Sequence, residues 1–201
     1  KPFQLTLHLA QVDGIRGEVL DDLKLEAGLA DGRLSVRHLA VDVEGGTSTA
    51  VLGMDSRASP PTFSLEGTAK GMKLRRIVEQ IDADKAYSGK LDAKLDLKTR
   101  GASPHALASG RDGEGRMSCG AGTIATAHAG ILTRDLYHSG RRAIGKARPS
   151  EVLNCLVVDF AFRGGVGTAN TLVLDAEDVV IVGEGNIDLR AETLDLRLVP
   201  T

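Results

Sequence analysis

Apolar residues recur at every second position through most of the chain, beginning with Phe3, Leu5, Leu7 and Leu9, which are separated by Gln4, Thr6 and His8. Side chains alternate between the two faces of a strand, so this spacing predicts a strand with one apolar and one wet face. Leu23, Leu25, Ala27 and Leu29 repeat the pattern up to Asp31-Gly32, a dipeptide suited to the positive φ angles of a tight hairpin turn, and the return strand carries Leu34 and Val36. The apolar phase then slips to Leu39, Val41 and Val43, which predicts a β-bulge near Arg37-His38. Gly45-Gly46 turns the chain into Ala50, Leu52 and Met54, and Pro60-Pro61 separates these from Phe63, Leu65 and Ala69. Alternation is cleanest in Leu91, Ala93, Leu95 and Leu97, where Asp92, Lys94, Asp96 and Lys98 intervene. A weaker strand holds Met117 and Cys119. The final third alternates in successive runs: Leu156, Val158, Phe160, Phe162; Leu172, Leu174; Val180, Val182; and Ile187, Leu189, Leu194, Leu196, Leu198.

The period changes in two places. Leu74, Ile77, Val78 and Ile81 fall at helical spacing and predict an amphipathic helix over 73–82. Residues 126–147 lose alternation, and Ile131, Leu132 and Leu136 point to a second helix there despite Gly130, Gly140 and Gly145. Ser103-Pro104 marks the start of a short helical turn. The expected fold is mainly β: a curved antiparallel sheet forming a groove or incomplete barrel, with one or two short helices near 73–82 and 126–147. Residues 1–201 read as a single β-rich domain, or as two repeat units at 1–84 and 85–201. Gly32-Arg-Leu-Ser35 recurs as Gly115-Arg-Met-Ser118, and Gly89-Lys-Leu-Asp92 as Gly185-Asn-Ile-Asp188, each read as a turn glycine that launches a strand.

Composition narrows the partners. Glycine is abundant at 24 residues, aromatics are only 3% and Trp is absent, which suits a sheet punctuated by turns and not a stack of bases on aromatic side chains. With 25 Lys and Arg against 27 Asp and Glu, the chain lacks the basic surplus that grips a polyanion, so no nucleic-acid partner is expected. No apolar run approaches the roughly 18 residues of a spanning helix. Opening directly in an alternating strand, the chain reads as part of a longer protein whose leader or anchor lies outside it. At 201 residues it is long enough to bury a core without a metal or disulfide.

The apparent chemical motifs dissolve under inspection. Gly140-Arg-Arg-Ala-Ile-Gly145-Lys146 approaches a phosphate-binding loop, but Ala147 stands where a hydroxyl should meet magnesium. Gly120-Ala-Gly122-Thr-Ile-Ala125 lacks the strand and helix alternation of a dinucleotide fold. Asp135, His138 and Ser139 have no oxyanion motif beside them. Asp175, Glu177 and Asp178 lack the spacing of a calcium loop and read as a strand end. The histidines at 8, 38, 105, 128 and 138 show no metal-ligand spacing. No cofactor, metal or catalytic residue is therefore assigned. Cys119 and Cys155 are too few to read a redox compartment, and Cys155 sits in an apolar strand. Arg134, Arg141, Arg142 and Lys146 form a dense basic cluster that could meet an anionic headgroup or a partner's acidic face.

The last third carries a resemblance. Leu153-Asn-Cys-Leu-Val-Val-Asp-Phe-Ala-Phe-Arg-Gly-Gly-Val166, then Thr171-Leu-Val-Leu-Asp175, Gly183-Glu-Gly-Asn-Ile-Asp-Leu189 and Glu192-Thr-Leu-Asp-Leu-Arg-Leu-Val-Pro200 together resemble the C-terminal signature of AsmA-like proteins. Gly113-Glu-Gly-Arg116 and Gly89-Lys-Leu-Asp92 are similar to the segments that precede it, so the resemblance is closest from about residue 85 onward. Ala176 departs from the usual Thr, and the stretch 126–148 is unusually basic and glycine-rich, so no role is carried over to it.

The resemblance implies a relative of TamB and the bridge-like lipid-transfer proteins, with a curved sheet whose inner face is apolar. It implies no conserved partner for Cys119, so Cys119 and Cys155 are expected to be buried, unpaired thiols. It further implies a non-enzymatic protein of the Gram-negative envelope, facing the periplasm, tethered to the inner membrane by an N-terminal helix absent from this chain, and engaged in outer-membrane assembly and lipid supply. The expected ligand is phospholipid or another acyl lipid, and the expected protein partner is the remainder of the same full-length protein. The strands carrying Leu91, Leu95, Leu97, Phe160, Phe162, Ile187, Leu189, Leu194 and Leu196 are expected to form one lipid-contacting surface. The alternative is a structural or assembly module with a sealed core that docks partner strands through a sheet edge.

Overall fold

Alternation with turn residues between the runs produces a meander. A computed structural model of the protein describes residues 2–13, 19–43, 45–75, 88–125, 150–177 and 179–201. Its elements are β1 (Phe3–Asp13), β2 (Val19–Ala30), β3 (Arg33–Val43), β4 (Gly46–Asp55), β5 (Thr62–Lys73), β6 (Lys90–Arg100), α1 (Pro104–Ser109), β7 (Asp112–Cys119), β8 (Gly122–Ala125), β9 (Ser150–Arg163), β10 (Val166–Ala176), β11 (Val179–Asp188) and β12 (Thr193–Pro200). All twelve strands lie in one antiparallel sheet, in sequence order. β7 and β8 lie end to end along the 14-residue β9. β1 and β12 are the two edges, and among the described residues they do not pair, so the sheet is open.

Directly opposed residues in an antiparallel ladder share a face. One row can therefore be followed from edge to edge: Leu5, Ala27, Val36, Leu52, Leu65, Leu97, Gly113, Phe162, Gly167, Ile187 and Leu194 are successive partners across the whole sheet. It holds no charged residue. A simple alternation would drift out of phase over strands this long, and bulges reset it. The bulge at Arg37-His38 is present and keeps Val36 and Leu39 on one face. A second, at Asp22 with φ 49°, brings Leu20 opposite Val43. A third lies between Ala69 and Met72, where Gly71 takes φ 65° and its N–H donates to Asp92 at 2.7 Å.

The packed core occupies one end of this apolar face. Cys119, Leu153, Leu174 and Ile181 are buried together, with Leu74, Leu156, Val179 and Leu198 against them. Leu153 reaches this face only because a register shift beside Cys155 places it opposite Ala176 and Gly122.

Several expectations need correction. Lys73 ends β5, Leu74 and Arg75 are helical, and the rest of the segment 73–82 lies outside the described residues, as does 126–147. The short helical turn expected at Ser103-Pro104 is present as α1. Ser103 caps it, with Ala106 N–H donating to the Ser103 hydroxyl at 3.2 Å. Gly115 and Gly185 do not launch strands, as the repeat reading required, but sit in the middle of β7 and β11. An added Cβ at Gly185 would collide with the backbone of Asp195, and one at Gly115 would meet Leu95 at 3.1 Å. They are glycine because neighbouring strands press on them. Val180 and Val182 take the face opposite Ile181 and Ile187, so β11 is a single strand with apolar residues on both sides. Cys155 is half-buried, not buried, and its register beside Asp175 places it on the opposite face from Cys119.

Candidate functional site

Away from that core several residues of the apolar face are exposed. Phe3, Leu5, Leu9, Leu29, Leu34, Leu52, Leu95 and Leu194 all stand on it and all are exposed, Phe3 at 60% and Leu194 at 66%. Soluble proteins seldom leave so large a contiguous apolar area to water unless something binds there.

The face is concave near the end of β3 to β6. Leu34, Leu52, Met54, Phe63, Leu65, Leu97 and Thr99 line a pocket of about 260 Å³ together with Arg111 and the backbone around Gly53 and Ser64. It opens toward a wider cleft of about 890 Å³, whose lining joins Met54 and Phe63 to Ser109 in α1, Gly164 in the β9–β10 turn and Arg190 in the β11–β12 turn. Residues from both halves of the sheet thus border one cleft, as expected for a twisted sheet that curls toward itself. α1 closes this end: the Thr99 hydroxyl donates to Leu107 O, and Gly101 N–H donates to Pro61 O at 3.0 Å.

Among the described residues the ion pairs lie on the rim and the wet face. Asp55 accepts from Arg33 at 2.9 Å and from Arg57 at 2.8 Å, and the Arg57 and Arg33 guanidiniums hold its carboxyl well below the usual carboxylate range. Arg190 and the backbone N–H groups of residues 190 and 191 similarly lower Asp188. Lys94 with Glu114 and Arg197 with Glu184 bridge neighbouring strands on the wet face. Among the described residues no group of three His, Cys, Asp or Glu is placed to hold a metal ion, and no helix is long and apolar enough to cross a membrane.

The expected contact residues divide. Leu91, Leu95, Leu97, Phe160, Phe162, Ile187, Leu194 and Leu196 do share the apolar face through the register. Leu91 and Phe160 are buried, at 4% and 8% exposure, so they are floor rather than open surface. Leu189 lies beyond the end of β11, where its N–H donates to Gly165 O at 2.9 Å. Arg134, Arg141, Arg142 and Lys146 lie outside the described residues. The pocket in β3–β5 was missed, although Leu34, Leu52, Met54, Phe63 and Leu65 all stand out as period-two positions. Arg111 was missed because no pattern in the chain distinguishes it from other turn cations.

The sequence profile of the AsmA family matches residues 4–172. The chain belongs to the AsmA family. No curated protein and no solved structure matches it. The AsmA match begins in β1 and includes β3–β6, the strands that build the pocket, although the sequence resemblance is closest from residue 85 onward. It ends in β10, short of β11 and β12. AsmA membership points to a role in outer-membrane assembly or lipid transport.

Proposed function

We propose that this AsmA-family chain is a non-enzymatic acyl-lipid-binding module that takes part in lipid transfer to, or lipid balance of, the outer membrane. It would act in the periplasm as part of a longer protein tethered to the inner membrane, with phospholipid as ligand and the rest of that protein as its partner. The observation that carries the reading is the uncharged row from Leu5 to Leu194, which crosses every strand position of an open sheet and is exposed at Leu5, Leu52 and Leu194. Burial of a Leu or Phe side chain against hydrocarbon contributes roughly 1.5–3 kcal/mol, so a few such contacts retain an acyl chain. The exposed edges β1 and β12 favour a second reading, a structural module that adds strands from the rest of the protein.

Photo-crosslinkers at Leu52 and Leu95, with the chain expressed in a Gram-negative host, test the two readings. Lipid adducts at both positions, lost in Leu65→Asp while the fold survives, support lipid binding. No adduct in the parent, together with unfolding of Leu65→Asp and Leu97→Asp, rejects it in favour of the structural module.

A further inference from the structure

Among the described residues, Arg111 is a cation on the apolar face without a counter-ion. Arg111 lines the 260 Å³ pocket with Leu34, Leu52, Phe63 and Leu97, and its guanidinium lies 5.8 Å from the centroid of the Phe162 ring. Its backbone is held on both sides: its N–H donates to Ala108 O at 3.3 Å, and its carbonyl accepts from Gly165 N–H at 2.8 Å. The backbone of Arg111 is thus anchored at the junction of α1 and β7.

Of the other cations that border the adjoining cleft, Lys98 and Arg100 stand on the opposite face of β6 from Leu97, and the remaining arginines are paired. Arg33 and Arg57 share Asp55, and Arg190 holds Asp188. The adjacent Asp112 accepts from Gly164 N–H at 2.7 Å. Among the described residues no carboxylate lies within ion-pair distance of Arg111. A half-buried guanidinium between an aromatic ring and hydrocarbon walls is costly unless an anion completes it, and its planar fork suits a phosphate.

We infer that Arg111 receives the phosphate of a phospholipid whose acyl chain lies in the pocket beside it. This rests on the acyl-lipid reading above and adds to it a preference for a charged headgroup at a defined position. The ring of Phe162 supports the guanidinium from one side and leaves the pocket side for the ligand.

Two probes that differ only in the phosphate test this: 1-lauroylglycerol 3-phosphate and 1-lauroylglycerol, titrated calorimetrically below their micelle concentrations into the full chain. The phosphorylated probe should bind about tenfold more tightly, the size expected of one charge-assisted contact. Arg111→Gln should abolish that difference, and Arg111→Lys should keep part of it. Equal binding of both probes by the parent overturns the inference while leaving the acyl-lipid reading intact. Failure of both probes to bind overturns the two together. Inorganic phosphate that binds as tightly as the phosphorylated probe overturns it as well, because the site would then be indifferent to the acyl chain. If Arg111→Gln does not fold, the comparison in the parent protein still decides.

Discussion

The ring of Phe162 occupies the space beside its cross-strand partner Gly167, so that a Cβ added at residue 167 would sit 2.5 Å from the ring's Cε1 atom. On its other side Phe162 faces Gly113, and Phe160 faces Gly115 in the same way. Leu172 settles in the same way over its cross-strand partner Gly183, so that glycines in β10 and β11 receive large side chains from the neighbouring strands.

Gly167→Ala should therefore destabilise the fold by about 1–3 kcal/mol, the usual cost of forcing atoms into a filled site. Gly120→Ala makes the control, because a Cβ there meets nothing within 4 Å. Urea unfolding followed by circular dichroism should show a lower midpoint for the first and nearly the parent midpoint for the second.

Leu153 and Leu52 lie on the same face and should behave oppositely. Leu153 is fully buried, at 0% exposure, and Leu153→Ala should cost about 2–5 kcal/mol through the cavity it leaves. Leu52 is 36% exposed, so Leu52→Ala should cost well under that while lowering lipid retention. Melting temperature and co-purified lipid, measured on both variants, separate the core from the groove.

Cys119 is 1% exposed, and burial pushes its thiol pKa up, whereas Cys155 is half-buried on the other face. Iodoacetamide should label Cys155 first in the native protein and Cys119 only on unfolding, since the thiolate is the reactive form. Unfolding without reductant should release both thiols for alkylation in the mass spectrum. A mass corresponding to no alkylation would mean that they are bridged.

Asp55 gives the sheet a pH response. Its carboxyl is lowered by hydrogen bonds from Arg57 and then Arg33. A carboxyl whose folded pKa lies below the unfolded value of about 4 adds stability above that value and loses it as the pH falls toward the folded pKa. The parent should lose stability below about pH 4 more steeply than Asp55→Asn. The effect should be small and weakened by salt, because the Arg33 and Arg57 side chains are 62% and 49% exposed. Thermal melts at graded pH, with and without added salt, measure both.

Much of the secondary structure was legible because the side-chain period of a strand is written directly into residue type. The bulge at Arg37-His38 was legible for the same reason: a one-residue slip in an apolar pattern has no other economical cause. The repeat reading failed at Gly115 and Gly185 because a turn glycine and a glycine pressed by a neighbouring strand look identical in sequence. Only the register distinguishes them.

Taken alone, the order of apolar and polar residues determined that this chain forms strands with one apolar face, and that the strands follow one another as a meander. The tertiary structure decided which part of that face is core and which is open. Leu153 and Leu52 are equally apolar in sequence, but one is enclosed by Cys119, Leu174 and Ile181 while the other borders a pocket. The assignment of Arg111 also depended on the fold, because α1 and Gly165 hold it beside Phe162, a residue 51 positions away in the chain. Periodicity is a property of neighbours along the chain, whereas cover, curvature and charge placement arise from residues that meet only when the sheet curls.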